Sequence, residues 1–340
     1  MIKNIKLNNF RIFQKLELDT NNSLVIFSGK NARGKTSILE AIYIAGTTKS
    51  HRENNLENTI RFNEQFSKIE LKADKRYKVV ISKDSKGLFI NDIEIKKSSE
   101  YLGNLDVVMI SPTDISLIRG TKGDKRRFLD LNISMLNKKY LKESSRYKKA
   151  LNERNILLKN KKIDDVMLGV LTNELVESLK YIYDSRIYLI DKLNYYLKDI
   201  SKNMKIEEIK LIYEETYDPN NILESFNEKK QIDIKYQATQ IGTHRDSFKI
   251  LINGLDAGVY ASEGQSRIIY IAIKLALAKV IKELKEEPIM LLDDIYQALD
   301  KDRIASLTEY LKSIKQVFIT TTTILEVPDE ILKNALVLRI

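Results

Sequence analysis

The rhythm of hydrophobic and polar positions changes three times along the chain, and each change predicts a different architecture. Near the N-terminus Ile5 and Leu7 alternate with polar neighbours, and Asn8-Asn9-Phe10-Arg11 predicts a turn. The first 28 residues therefore read as antiparallel strands. Residues 69–95 predict a β-meander, with Asn91-Asp92 as the turn dipeptide between its last two strands. Between these regions Thr47-Thr48-Lys49-Ser50-His51-Arg52 is polar and is expected to lie exposed. Residues 106–110 predict a buried strand, and Ser111-Pro112-Thr113-Asp114 a helix cap with proline in the first turn.

From Asp124 the texture becomes helical. Over residues 124–199 there is no proline and a single glycine, Gly169. Phe128, Leu129, Leu131, Ile133, Met135 and Leu136 make one apolar face, and Leu168, Leu171, Leu175, Leu179, Ile182 and Ile187 continue at helical spacing. An arm of two or three long helices is predicted, followed by a strand near residues 206–213 and a helix to about Ala238. No heptad pattern lasts long enough for an extended coiled coil. After Thr239 strands return, with a turn at Asn253-Gly254. A helix over 268–285 is apolar almost all round and must be buried. Two further buried strands end in Asp293-Asp294 and in Thr320-Thr321-Thr322-Thr323. The pattern predicts an α/β nucleotide fold with an inserted helical arm. Its halves would be residues 1–123 and 239–340, and the arm 124–238.

The chemistry gathers at Gly29-Lys30-Asn31-Ala32-Arg33-Gly34-Lys35-Thr36, which follows the apolar run Leu24-Val25-Ile26-Phe27 and precedes the helical Ser37-Ile38-Leu39-Glu40. Strand, glycine-rich turn and helix in that order fit G-x-x-x-x-G-K-[ST] without a mismatch. Backbone N–H groups and the helix N-terminus would cradle a triphosphate, Lys35 would reach its β- and γ-phosphates, and Thr36 would offer a hydroxyl to Mg²⁺. Asp293, at the carboxyl end of a buried strand, would share that Mg²⁺, and Asp294 would polarise the attacking water. Aspartate is a methylene shorter than glutamate, so hydrolysis is expected to be slow. Ser262, Gly264 and Gln265 open a helix and form a second phosphate-binding N-terminus, suited to the nucleotide of a second copy.

Composition narrows the partners. The chain has 340 residues, no cysteine and no apolar run of 18 residues, so neither disulfides nor a membrane span are expected. No signal-peptide core opens the chain, and a cytoplasmic location is expected. The net charge is +10, and residues 121–162 hold 14 Lys/Arg against 4 Asp/Glu. One segment thus accounts for the whole imbalance, which favours a polyanion partner over a merely solvated face.

The residues resemble the ABC-type ATPase heads of the SMC class, and more narrowly the RecF family of bacterial recombination mediators. The resemblance rests on Asn9-Phe10-Arg11, Lys49-Ser50-His51-Arg52, Ser111-Pro112-Thr113-Asp114 and Arg126-Arg127-Phe128-Leu129-Asp130. It continues through Gly242-Thr243-His244-Arg245-Asp246, the signature-like Ser262-Glu263-Gly264-Gln265-Ser266-Arg267, Asp293-Asp294 and Ala298-Leu299-Asp300. Departures are Ala32 for a usual Gly, Thr243 for Pro, Glu263 for Gln and Thr323 for Asp. The resemblance implies ATP with Mg²⁺ as cofactor, held by residues 29–37 including Ser37, with Arg11 beside it. It implies a homodimer induced by ATP, in which Ser262, Gly264, Gln265 and Asp300 contact the other copy's nucleotide. It further implies binding to single-stranded and gapped duplex DNA, and action with RecO and RecR in loading RecA. Lys122, Lys125, Arg126, Arg127, His51, Arg52, His244 and Arg245 are the expected DNA contacts. The rival reading is an SMC-like nucleotide-gated scaffold or tether with no role in recombination.

Overall fold

The computed structural model describes residues 1–111 and 114–340. The expected proline cap at Pro112-Thr113 lies outside the described residues. In chain order the elements are β1 (Asn4–Phe10), β2 (Phe13–Asp19), β3 (Leu24–Ser28), α1 (Lys35–Thr47), β4 (Phe66–Lys72), β5 (Arg76–Ser82), β6 (Lys86–Ile90), β7 (Ile93–Glu94) and β8 (Val107–Ile110). There follow α2 (Lys122–Leu136), α3 (Lys138–Leu158), α4 (Asp165–Asn203), β9 (Ile209–Glu214), α5 (Ile222–Tyr236), β10 (Ser247–Ile252) and β11 (Leu255–Asp256). The chain closes with α6 (Glu263–Leu284), β12 (Ile289–Leu292), α7 (Lys301–Lys312), β13 (Val317–Thr321) and β14 (Leu336–Arg339), with single helical turns between some of these elements.

The chain divides into two compact units. The first holds Met1–Ile115, Tyr196–Glu207 and Ser262–Ile340; the second holds Ser116–Tyr195 and Glu208–Ala261. These bounds differ from an arm over 124–238. Strands β9, β10 and β11 pair with one another, in the order β11-β10-β9, and β10 packs on α2. They therefore belong with the helices rather than with the nucleotide fold.

The first unit carries two sheets. One is antiparallel, in the order β2-β1-β4-β5-β6-β7. Period-two patterning puts Ile5, Leu7, Ile69, Leu71, Val79 and Ile81 on its buried face. Asn91 and Asp92 both take positive φ, 51° and 64°, which suits a tight hairpin between β6 and β7. The other sheet is parallel, β14-β3-β13-β12-β8. Here the expectation for the first 28 residues needs correction: β3 pairs in parallel with β13 and β14 instead of extending the N-terminal hairpin. Its Val25, Ile26 and Phe27 are all fully buried, as a strand covered on both faces requires. Gln316, also fully buried, ties the start of β13 to the hairpin. Its Nε2 donates to Ile2 O (2.8 Å), and its Oε1 accepts from Ile2 N (2.6 Å). Helix α6 buries residues around most of its circumference, as its sequence requires.

In the second unit α2 opens with a reciprocal cap between Thr121 and Asp124, and α3 is capped by Asn137. Helix α4 runs for 39 residues, of which 165–195 lie in this unit and 196–203 in the first.

Candidate nucleotide site

Strand β3 delivers the chain into the glycine-rich turn, and α1 begins at Lys35. Gly34 has φ 92°, and a Cβ there would stand 2.5 Å from the Phe13 ring, so both backbone and space demand glycine. Ala32 holds φ 62°, a left-handed conformation more natural to glycine. The Lys35 ammonium donates to Gly29 O (2.7 Å) and Lys30 O (3.0 Å), which draws the turn around it.

The parallel order places β13 between β3 and β12, and its hydroxyls complete the site. Thr36 Oγ1 donates to Asp293 Oδ1 (2.8 Å), and Thr320 Oγ1 donates to the same oxygen (2.7 Å). Ser111 Oγ lies 3.4 Å from Asp293 Oδ2. Thr320 also accepts from the Asp294 N–H (2.9 Å), fixing Asp294 at φ 46°. Burial, and then the neighbouring Asp293, push the Asp294 carboxyl above its usual range. Its Oδ1 is buried and has no hydrogen-bond partner among the described residues. A cavity of about 510 Å³ is lined by Asn31 to Ser37, with Arg11, Arg52 and Asp294 also on its walls. An amine at the cavity floor, backbone donors and a hydroxyl–carboxylate pair suit a triphosphate with Mg²⁺, which keeps few protein ligands. The orphaned oxygen of Asp294 suits a water to be activated.

Arg11 stands at this cavity for a further reason. Its Nε and Nη2 donate to Glu40 Oε2 (2.8 Å) and Oε1 (2.6 Å), and Nη1 to Asn58 O (2.9 Å). Burial would raise Glu40, but Arg11 and Ser50 outweigh it and hold the carboxylate below its ordinary value. Thr47 and Thr48, expected in an exposed loop, are buried; Thr47 Oγ1 donates back to Tyr43 O (2.7 Å).

The second set of phosphate-type donors lies elsewhere on the same unit. Ser262 Oγ accepts from Gln265 N (3.1 Å) and Gln265 Oε1 from Ser262 N (2.9 Å), capping α6. Asp300 caps α7 and pairs with Arg303 (2.6 Å). Ser262, Gly264 and Asp300 are exposed, and none of them lines the P-loop cavity.

The expected DNA contacts separate into three groups. Lys122, Arg127 and Arg245 are exposed cations on the second unit. Arg52 is exposed on the first unit, where it lines the nucleotide cavity. Lys125 and Arg126 are half-buried; Lys125 lies over the Phe248 ring, and Arg126 Nη1 donates to Asp246 O (2.9 Å). The histidines differ from expectation. His51 packs edge-on to Tyr43, and burial lowers its pKa. His244 Nε2 faces Thr239 O (3.1 Å), which can only accept, so Nδ1 takes the hydrogen of Tyr147 OH (2.8 Å). Burial lowers its pKa to about 4, so it is neutral and structural.

Sequence reasoning passed over the polar knot behind His244. Arg186, almost fully buried, donates to Asp130 (2.8 Å), Tyr140 OH (3.1 Å), Tyr213 OH (3.0 Å) and Thr243 O (2.8 Å). Tyr213 and Tyr217 donate to Asp246 Oδ2, and Thr216 to Oδ1. Two motifs assigned to DNA are thus joined through one buried arginine. Only the position of Arg186 on an otherwise apolar helical face hinted at this.

The family profile described as RecF/RecN/SMC N terminal domain matches residues 1–333. The chain is 40% identical over 325 residues to the DNA replication and repair protein RecF of Acholeplasma laidlawii, covering 94% of this chain and 93% of that one. It is 38% identical over 355 residues to RecF of Clostridium perfringens, covering 100% and 98%. The solved structure of the recombination mediator RecF with ATP, from the RecFOR pathway, aligns with a TM-score of 0.87 at 30% identity, over 95% of this chain and 92% of that one. An SMC head from Pyrococcus furiosus, at TM-score 0.55 and 15% identity over 99% and 92%, shares the fold.

Proposed function

The chain belongs to the RecF family of the RecF/RecN/SMC ATPase heads, and on that premise we propose that it binds ATP with Mg²⁺ and clamps DNA as an ATP-induced homodimer in recombination and repair. The observation that carries the reading is the bond from Thr36 to Asp293, which joins P-loop and acidic strand 257 positions apart. Its substrate is gapped DNA, and its partners RecO and RecR assist RecA loading. P-loop N–H groups would bind the phosphates, and the Lys35 ammonium would exchange its two carbonyl partners for phosphate oxygens. Thr36 and Asp293 would hold Mg²⁺, which would supply charge neutralisation for the phosphates. Asp294, whose carboxyl burial holds above its usual range, would accept a proton from the attacking water. Its short side chain keeps turnover slow, so ATP acts as a timer.

DNA affinity with and without ATP, measured beside phosphate release, tests this reading. ATP is expected to tighten DNA binding, and Lys35→Ala to abolish that effect. Asp294→Asn should keep ATP-dependent DNA binding while cutting turnover about a hundredfold or more. DNA binding indifferent to ATP would remove the gate, and turnover of about ten per second or faster would remove the timer.

A further inference from the structure

The second unit holds a small cavity of about 130 Å³ that the nucleotide chemistry does not use. Its walls include Arg126 on α2, Ser144 and Lys148 on α3, and Arg186 on α4. Three of these are cations, against one carboxylate on the wall, Asp130. Asp130 Oδ1 accepts from Arg186 (2.8 Å) and Tyr140 (2.6 Å), which offsets part of its charge. His244, also on the wall, is neutral and has both ring nitrogens engaged.

One hydroxyl in the cavity wall lacks a partner among the described residues. Ser144 is more than nine-tenths buried, and its Oγ has no hydrogen-bond partner among the described residues. An unpartnered buried hydroxyl is costly unless something bonds to it. Among the described residues Arg126 bonds through Nη1, to Asp246 O, and Lys148 is exposed one helical turn from Ser144. Burial, and then the like charge of Arg186, disfavour the Arg126 cation, a penalty that an anion at this point would remove.

From the convergence of Ser144, Lys148 and Arg126 on one cationic cavity, we infer a phosphate-binding pocket in the second unit. Donors approach from two helices, with the field of Arg186 behind them, which suits a tetrahedral oxyanion better than a planar carboxylate. The phosphate is either free inorganic phosphate or a phosphate group of nucleic acid. The pocket stands on its own geometry and does not depend on the DNA-clamp reading.

The test uses the full chain carrying Lys35→Ala, which silences the P-loop, titrated with inorganic phosphate against chloride at matched ionic strength. Phosphate is expected to bind and to raise the melting temperature. Adding Ser144→Ala or Lys148→Glu should weaken that binding about tenfold, the scale of one hydrogen bond to a charged group. Ser144→Ala should not lower the melting temperature in chloride, because its hydroxyl has no hydrogen bond to lose among the described residues. Absence of phosphate binding in the Lys35→Ala chain, or binding that survives both substitutions, overturns the pocket. A second arm identifies the source. If nucleic acid supplies the phosphate, Ser144→Ala weakens DNA binding and inorganic phosphate competes with DNA. If free phosphate is the ligand, Ser144→Ala loses phosphate and keeps its DNA affinity. Loss of all DNA binding would refute the clamp, and the phosphate titration would then decide the pocket by itself.

Discussion

Ala32 carries a methyl group at φ 62°, which costs an L-residue about 1–2 kcal/mol. Glycine would remove that strain but lose more entropy on folding, about 0.4–1 kcal/mol. Ala32→Gly should therefore stabilise the nucleotide-free protein by about 0.5–1 kcal/mol, read as a higher urea midpoint. His244 gives a pH signature of opposite character. Its folded pKa of about 4 lies below the ordinary value of 6.5, so the folded state holds fewer protons than the unfolded. The stability it contributes is complete above pH 6.5 and declines as pH falls towards 4. At about 1.4 kcal/mol per pH unit the loss reaches about 3 kcal/mol. His244→Gln should flatten the urea midpoint across that window, and an unchanged slope would mean the imidazole is charged in the fold. Lys35, Thr36 and Asp293 were legible as residues because their chemistry is bound to a local pattern. Arg186 was not, since its partners come from four distant stretches of chain.

Among the elements, β13 matters most for the site. It was legible as a strand ending in hydroxyls, but not as the spacer between β3 and β12. Strand order is set by which buried strands pair, and period-two patterning carries no information on that. The same limit explains β3, whose apolar run fits an antiparallel or a parallel sheet. Gln316, at the base of β13, was silent in the sequence. Its amide bonds Ile2 O, Ile2 N, Asn22 O (3.1 Å) and Thr20 O (3.3 Å). Gln316→Leu strands these buried groups and should cost about 2–4 kcal/mol, several unsatisfied groups at about 1–3 each with partial relief from relaxation. A fall in unfolding midpoint, with ATP affinity retained in the folded fraction, is the expected outcome.

At the scale of the whole molecule, the proposed dimer makes each chain the holder of two half-sites. Ser262→Arg should abolish the ATP-dependent dimer in sedimentation while leaving nucleotide affinity of the monomer within about twofold, a change of about 0.4 kcal/mol. Because Ser262 also caps α6, a substitution there costs about 1 kcal/mol of helix stability. Ser262→Asn keeps the cap and serves as the control for that loss. ATP-dependent dimers of Ser262→Arg would end the two-copy reading. The concentration of 14 basic residues between 121 and 162 was legible as polyanion chemistry. Which of them face solvent was not, because Lys125 and Arg126 are drawn in by Phe248 and Asp246 O.

The sequence by itself determined the local features of this protein: a glycine-rich turn at Gly29–Thr36 ahead of a helix, an acidic strand end at Asp293-Asp294, and a capped helix at Ser262. Each depends on residues adjacent in the chain, where backbone geometry acts directly on composition. Only the tertiary structure decided that Thr320 joins Thr36 on one carboxylate oxygen. Only it decided that His244 is held between Tyr147 and Thr239, and that the Ser144 hydroxyl at a cationic cavity has no partner among the described residues. Those outcomes rest on burial and on long-range pairing, and desolvation changes what a polar side chain can do only once the surrounding chain has closed over it.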